Sequence, residues 1–234
     1  MSARRTAIPN RILDGLPPDE FARLAPFVEQ VEIVLGQVLC NAGKKITHAV
    51  FPNAGIISLL APADGDTVLE LGLLGREGMF GIPLALGLVV SPMRALVQGA
   101  GSAIRIDAVK FRRVLKDCVA LQNRLHRYTY SLMAHISQTA VCNNFHSIEA
   151  RTARWMLSTS DRMQSDHFTL TQSFLADMLG VRRPAVSHAA SALLSGGLVR
   201  YSRGEVSILD RPGLEAATCG CYRVIDDVYR TALG

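Results

Sequence analysis

The sequence has few aromatic residues and no long apolar run, and these deficits exclude some classes of protein. Phe, Trp and Tyr make up 6% of the 234 residues, although hydrophobic residues reach 49%, so a core has to rest on aliphatic side chains. The most apolar segment, 79–93, is interrupted by Gly81, Pro83, Gly87 and Pro92. Because a membrane-spanning helix needs roughly 20 continuous apolar residues, this segment is predicted to belong to a core.

Neither a signal peptide nor a disulfide framework is predicted. Arg4 and Arg5 are not followed by an apolar stretch of signal-peptide length, so we expect a cytoplasmic protein. An odd number of cysteines scattered through a chain of this size is typical of free thiols in a reducing compartment. The five are Cys40, Cys118, Cys142, Cys219 and Cys221.

No complete metal-ligand pattern is visible. The pair Cys219-Gly220-Cys221 is only half of a metal or redox site and is interpreted as two reduced cysteines. The histidines that lack a characteristic metal or haem spacing are interpreted as structural, and no metal is predicted; they are His48, His126, His135 and His146.

Acidic residues are scarce in two windows of a chain with a net charge of +5. Residues 178–204 contain Arg182, Arg183, Arg200 and Arg203 and no Asp or Glu. In residues 110–127, Asp117 is the one acid, against Lys110, Arg112, Arg113, Lys116, Arg124 and Arg127. A clustered positive charge favours an anionic partner.

Before about residue 108, short apolar runs alternate with turn residues. Gly, Pro, Asn and Asp separate the runs, and Asp64-Gly65 is typical of a tight reversal. Many short strands with frequent turns predict a β-sandwich or roll, preceded by a helix over Pro17–Val28. The runs are Val31–Leu35, Ile46–Phe51, Ile56–Leu60, Thr67–Leu73 and Ala95–Val97.

After residue 108 the apolar period becomes helical, with no Gly or Pro between Cys118 and Asn144. Six residues recur at alternating steps of four and three, as in a heptad seam. The seam covers either the helix's own domain or the same helix of a second chain, and the periodicity favours neither. As a candidate dimer seam it comprises Leu121, Leu125, Tyr128, Leu132, His135 and Thr139.

A segment near the C-terminus carries the clearest functional pattern. Thr171 is a candidate N-cap for a first helix, and Gly180 supplies the positive φ of a tight turn. Pro184 is tolerated in the first turn of a second helix. Ala176, Gly180 and Val186 have the spacing of a helix-turn-helix, in which the second helix enters the major groove of DNA.

A β-hairpin is predicted directly after this motif, with Ser202-Arg203-Gly204-Glu205 between two apolar runs. An ordinary helical hairpin with solvated arginines is the alternative, but the hairpin and the scarcity of acids favour a winged DNA-binding domain. Arg183 is expected to contact guanine, and the two wing arginines are expected to contact phosphates. The candidate DNA-binding residues are Thr171, Arg182, Arg183, Pro184, Ser187, His188, Arg200 and Arg203.

The order of β-roll, long helix and winged helix-turn-helix, with the segments 111–113, 170–176 and 181–188, resembles the catabolite activator protein/FNR family of transcription regulators. The resemblance implies an α+β fold with a jelly-roll sensor like a cyclic-nucleotide-binding domain (1–108), a dimerisation helix (109–145) and a winged helix-turn-helix (146–234). It further implies a homodimer on a two-fold operator in double-stranded DNA, an effector in the roll, and RNA polymerase as a partner.

The chain departs from the effector-binding patterns of that family. Its cyclic-nucleotide members carry Gly-Glu, then Arg-Ser-Ala, and a Thr-Ser pair on the long helix, none of which is intact here. An ordinary cyclic nucleotide is therefore not expected, and neither is the iron–sulfur cluster of other members, because Cys40 has no cysteine near it. The effector is unknown, and its candidate pocket comprises Gly81, Ile82, Arg94, Ala95, Ile136 and Ser137.

No enzyme is predicted, because the glycine-rich segment 72–78 lacks the Lys-Ser/Thr ending of a phosphate loop and no hydrolase motif is present. Two alternatives stay open beside the regulator with a sensing roll. One is a constitutive DNA-binding regulator whose roll is only structural. The other is a ligand-binding module that acts through protein contacts.

Overall fold

A computed structural model describes residues 9–63 and 67–234. Arg4, Arg5 and the predicted Asp64-Gly65 turn lie outside the described residues. Within those ranges the chain forms three antiparallel sheets and a set of helices, which confirms the predicted α+β class. None of the described helices has the length and apolar character needed to cross a membrane.

The N-terminal half is a β-roll of two sheets, preceded by two short helices, α1 (Arg11–Asp14) and α2 (Pro18–Leu24), and a 3-10 turn over Ala25–Phe27. Its strands are β1 (Glu29–Ile33), β2 (Val38–Cys40), β3 (His48–Pro52), β4 (Ile56–Pro62), β5 (Val68–Leu74), β6 (Arg94–Gly99) and β7 (Gly101–Asp107). One sheet has the order β1-β7-β3 and the other β2-β6-β4-β5. A short helix, α3 (Ile82–Ala85), lies between β5 and β6.

The predicted long helix is present as α5 (Val119–Phe145), which follows α4 (Ala108–Leu115). Its seam is buried within the same chain: Leu121 and Tyr128 are 0% exposed, and Thr139 is 4% exposed. A side chain already covered by its own chain has no surface left for a second one. The dimer-seam assignment is therefore corrected for Leu121, Leu125, Tyr128, Leu132, His135 and Thr139.

The C-terminal half begins with α6 (Ile148–Met163) and continues through β8 (His167–Thr169), α7 (Gln172–Leu179), α8 (Arg183–Ser195), β9 (Val199–Ser202), β10 (Glu205–Ile208) and α9 (Arg211–Ala217). The three strands form one sheet in the order β8-β10-β9. Trp155, Leu175, Val186 and Leu214 are in the core of this half. The predicted helix-turn-helix and its wing are thus confirmed.

The last helix, α10 (Cys221–Leu233), packs along α5 rather than staying with the helix-turn-helix. Its Ile225, Tyr229 and Leu233 join the core of the roll. The Tyr229 hydroxyl lies 3.3 Å from His135 Nδ1, and the two rings meet edge-on with centroids 5.8 Å apart. The segment 146–234, predicted as one domain, is therefore divided between two cores. Its last helix covers the seam of α5 and joins the core of the roll.

Helix α6 lies between the roll and the helix-turn-helix, and every residue from 151 to 160 is buried. Two polar contacts join it to the roll. Trp155 Nε1 donates a hydrogen bond of 3.0 Å to Glu70 Oε1 on β5. Arg162 Nε lies 2.8 Å from Glu77 Oε1, with side chains that are 10% and 11% exposed. Removing one partner of such a buried pair typically costs about 3–5 kcal/mol, so these contacts fix the position of α6.

Candidate DNA-binding surface, effector cavity and thiol cluster

The helix-turn-helix is fixed by a cap at its start and a glycine at its turn. The Thr171 hydroxyl accepts a hydrogen bond of 3.1 Å from the Phe174 amide, and so caps α7. Gly180 ends α7 with φ 62°, where a side chain would be strained. A Cβ on Gly180 would also lie 2.8 Å from Leu69 Cδ1 of the roll. Gly180 therefore serves both the turn and its contact with β5.

The second helix, α8, has one buried face and one exposed face. Val186 and Leu193 are 0% and 1% exposed and anchor the buried face. Arg183 and Pro184 in the first turn and His188 one turn later are exposed, as the sequence predicts for a recognition helix.

Ser187 is the predicted contact on α8 that is already engaged. Its hydroxyl donates a hydrogen bond of 2.6 Å to Gln172 Oε1, which ties α8 to the first turn of α7. This bond orients the two helices of the motif relative to each other, and Ser187 is half-buried.

The wing turns at Arg203 and Gly204, whose φ values are 51° and 84°. The turn is attached to the start of the helix-turn-helix, since the Leu170 amide donates a hydrogen bond of 2.6 Å to Gly204 O. The Tyr201 hydroxyl donates to Leu170 O, and burial raises the pKa of Tyr201 to about 12.

The positive charges of this surface are uncompensated. None of the predicted arginines forms a salt bridge or a side-chain hydrogen bond with any residue in the described ranges, and all are exposed. An exposed cluster of free guanidinium groups attracts phosphate. The four are Arg182, Arg183, Arg200 and Arg203.

A cavity of ≈ 300 Å³ lies between the roll and α5. Gly81, Ile82 and Ile136 of the predicted pocket line it, together with apolar neighbours such as Met79 and Met133. Of its lining residues, Ser91 and Thr129 carry polar side chains and none is charged. The cavity therefore has no group to neutralise a phosphate.

The other half of the predicted pocket lies elsewhere. Arg94, Ala95 and Ser137 do not line the cavity. Ala95 is 0% exposed within the core of the roll, and Ser137 is exposed on another face of α5. The Arg94 Nε is buried with no hydrogen-bond partner among the described residues. These three positions of the pocket prediction are corrected.

Four potential metal ligands meet where α5 ends, although the sequence predicts no metal. One sulfur or nitrogen atom of each lies within 4.8 Å of those of the others. Cys142 Sγ is 3.5 Å from Cys219 Sγ, and Cys221 Sγ is 3.5 Å from His146 Nδ1. Burial raises the pKa of Cys142 to about 12, and Arg154 acts in the opposite direction. His146, which the sequence indicates as structural, and the Cys219–Cys221 pair, which it indicates as half of a site, thus lie in one cluster with Cys142.

The missed signal was partly present in the sequence. Cys142 and His146 are four residues apart, which places them on one face of a helix, and Cys219 and Cys221 form a second close pair. Neither pair is a site alone. The fold brings them together because α10 returns to α5.

A protein-family model described as the Crp-like helix-turn-helix domain matches residues 150–217, the stretch that holds α6 to α9. The fold of nearly the whole chain, roll included, is shared with solved Crp/FNR regulators. In its helix-turn-helix domain and in its fold, the chain is similar to the Crp/FNR transcription regulators. Regulators of this family bind DNA and act as dimers.

Three solved structures illustrate this shared Crp/FNR fold. A Crp/FNR-family transcriptional regulator from Eubacterium rectale ATCC 33656 has a TM-score of 0.70 and 16% identity, over 88% of this chain and 96% of that one. FixK2 from Bradyrhizobium japonicum has a TM-score of 0.70 and 13% identity, over 82% and 98%. A Crp/FNR-family regulator from Thermus thermophilus has a TM-score of 0.65 and 20% identity, over 81% and 97%. No curated protein matches the chain.

Proposed function

We propose that this chain is a homodimeric Crp/FNR transcription regulator that reads a two-fold DNA operator and responds to an apolar effector in its roll. The observation that carries the DNA-binding role is the set of uncompensated arginines on α8 and on the wing. Arg183, in the first turn of α8, can make a bidentate contact with guanine, worth ~1–3 kcal/mol of discrimination. Arg200 and Arg203 on the wing serve phosphates.

The exposed face of α5 supports a dimer. Opposite the buried seam, a second set of residues recurs at steps of four and three, and Tyr130 and Met133 in it are 65% and 64% exposed. A repeat of 3.5 residues suits pairing with the same helix of a second copy. Such a dimer would hold two recognition helices for half-sites about one turn apart, ~34 Å. The stripe comprises Val119, Asn123, His126, Tyr130, Met133, Ser137, Ala140 and Asn144.

The cavity supports an effector role for the roll. An open, apolar cavity favours a sensing roll over a purely structural one. A roll with only a structural role would be more stable if side chains filled this space. Met133 lines the cavity and also belongs to the exposed stripe of α5. An apolar effector that contacts Met133 would therefore bias the geometry of the dimer, and with it the placement of the reading helices.

A binding selection followed by salt titration tests the DNA-binding role. We expect Arg183→Ala to relax the preference at one position per half-site. Arg203→Ala should weaken binding to all sequences alike and lower the salt slope by about one per subunit. Arg112→Ala, an exposed arginine on α4 of the roll, is the control and should change neither. An unchanged motif in Arg183→Ala with an altered one in Arg203→Ala would contradict the assignment of the reading helix.

A further inference from the structure

The four ligand atoms near the end of α5 come from two separate segments of the chain. Cys142 lies in the last turn of α5, and His146 caps that helix. Cys219 precedes α10, and Cys221 is the first residue of α10. We propose that these four residues bind one Zn²⁺ ion, which clamps α10 onto the junction between α5 and the DNA-binding domain.

The distances suit a single tetrahedral ion. Zn–S bonds of about 2.3 Å and Zn–N bonds of about 2.0–2.1 Å imply sulfur–sulfur separations of about 3.8 Å and sulfur–nitrogen separations of about 3.6 Å. The two measured separations are 3.5 Å for Cys142 Sγ to Cys219 Sγ and 3.5 Å for Cys221 Sγ to His146 Nδ1. Three thiolates and one imidazole form a ligand set that is common in structural zinc sites.

The residues around the four ligands supply a hydrogen-bond donor and positive charge, which stabilise thiolates. Gln138 Nε2 donates a hydrogen bond of 3.1 Å to Cys221 Sγ, which stabilises a thiolate. Zn²⁺ with three thiolates carries a net negative charge. Arg151 and Arg154 on α6 are each 6% exposed, and both attract the thiolate form of Cys142.

Both of these arginines have an unused donor. The Nε atoms of Arg151 and Arg154 are buried and have no hydrogen-bond partner in the described part of the chain. Cys142 and Cys221 are buried, but Cys219 and His146 are half-buried, so an ion has a route in from solvent.

Two other arrangements of the same thiols fit less well. A disulfide needs sulfurs about 2.05 Å apart and would use two thiols while leaving the third cysteine and His146 without a role. In an iron–sulfur cluster the ligands bind different iron atoms, so their sulfurs stand farther apart than around one ion. All four ligand atoms here lie within 4.8 Å of one another.

The position of the site determines which parts of the chain a bound ion would connect. Only Ser147 separates His146 from α6, so the ion binds at the hinge between the long helix and the DNA-binding domain. It joins this hinge to α10, whose Tyr229 packs on His135 of α5. The site itself stands whether or not the chain binds DNA, and its effect on DNA binding rests on the proposed function.

Elemental analysis of the full chain, purified under reducing conditions, tests the site. We expect about one zinc per chain, lost in Cys219→Ser and kept in the control Cys40→Ala, which removes a thiol in the roll. His146→Cys, which completes a four-thiolate set, should keep the zinc. With Co²⁺ in place of zinc, the wild type should show the intense visible bands of tetrahedral coordination and a thiolate-to-cobalt charge-transfer band.

Thermal unfolding with added Zn²⁺ tests the clamp. The midpoint should rise with free Zn²⁺ in the wild type and in Cys40→Ala, but not in Cys219→Ser. Zinc content that is unchanged in Cys219→Ser, octahedral Co²⁺ bands, or iron with sulfide in the purified chain would overturn the proposal. Since none of these measurements involves DNA, a chain that holds zinc but fails to bind DNA would contradict the proposed function and leave the metal site standing.

Discussion

Glu70 is a carboxyl group buried between the roll and the DNA-binding domain, and its titration can be measured. It accepts hydrogen bonds from Ser58 Oγ at 2.8 Å and from Trp155 Nε1 at 3.0 Å. Burial raises its pKa to about 7, although these two donors and the charges of Arg154 and Arg162 act in the opposite direction. The folded chain therefore keeps this proton to a higher pH than the unfolded chain does.

The sign and size of the change in stability with pH follow from the difference between the pKa of Glu70 in the folded and in the unfolded chain. Between pH 4.5, the ordinary value, and about 7, the folded state holds a proton that the unfolded state has lost. The stability from Glu70 is thus fully present below pH 4.5, falls as the pH rises, and is lost above about 7. At ~1.4 kcal/mol per pH unit the change over this window is about 3 kcal/mol.

Glu70→Gln removes the titration and keeps the shape. Its amide oxygen can accept from Trp155, and its NH₂ can donate to Ser58 Oγ, which then donates to Gln98 Oε1, a contact it already makes. We expect the variant to gain stability relative to the wild type as the pH is raised from 5 to 8, by up to about 3 kcal/mol. Urea unfolding followed by the fluorescence of Trp155, the one tryptophan of the chain, measures this.

A surface carboxyl provides the matched control for this experiment. Glu29 is exposed, and the hydrogen bond and charge of Arg105 lower its pKa, so Glu29→Gln should not gain stability at high pH. If the difference between Glu70→Gln and the wild type is the same at pH 5 and pH 8, or shrinks at high pH, the reasoning from burial is refuted.

Two further predictions concern the dimer and the effector. Met133→Glu should sediment as a monomer at micromolar concentration, because it puts a charge in the exposed stripe of α5. The control Val34→Glu, at an equally exposed apolar site in the roll, should stay dimeric. A dimeric Met133→Glu would mean that the interface lies elsewhere. Titration calorimetry should detect no micromolar binding of cyclic AMP, because no charged side chain lines the cavity. An apolar fluorescent probe should bind the wild type and the exposed-site control Val109→Trp but not Ile136→Trp, which fills the cavity; equal binding by all three would place the probe site elsewhere.

The helix-turn-helix could be predicted from the sequence because its signals are local. An N-cap at Thr171, a left-handed glycine at 180 and a proline at 184 each fix the backbone within a few residues. Three strands that the sequence did not predict, β2, β7 and β8, lack such signals. The strands β2 and β8 are three residues long, and β7 begins with Gly101 and alternates small, charged and apolar residues.

The partner of the α5 seam could not be predicted, because a periodic stripe does not name what covers it. The covering helix had its own signal in Cys221, Ile225, Tyr229 and Leu233, which recur at steps of four. Assigning that stripe to α5 needed the tertiary structure. The metal ligands depend on the same contact, since they comprise two short pairs that lie far apart in the sequence and become neighbours only when α10 packs on α5.

The two halves of this chain exchange parts of their cores, and this affects how the protein can be divided. The roll contributes Leu60 to the core around Trp155, while the C-terminal segment contributes Tyr229 to the core of the roll. A fragment cut at the α5–α6 junction would leave apolar surface uncovered on both pieces. Neither half is therefore a self-sufficient module. Transferring this DNA-binding domain to another sensor would require moving the β4–β5 hairpin and the surface of α5 on which α10 packs with it.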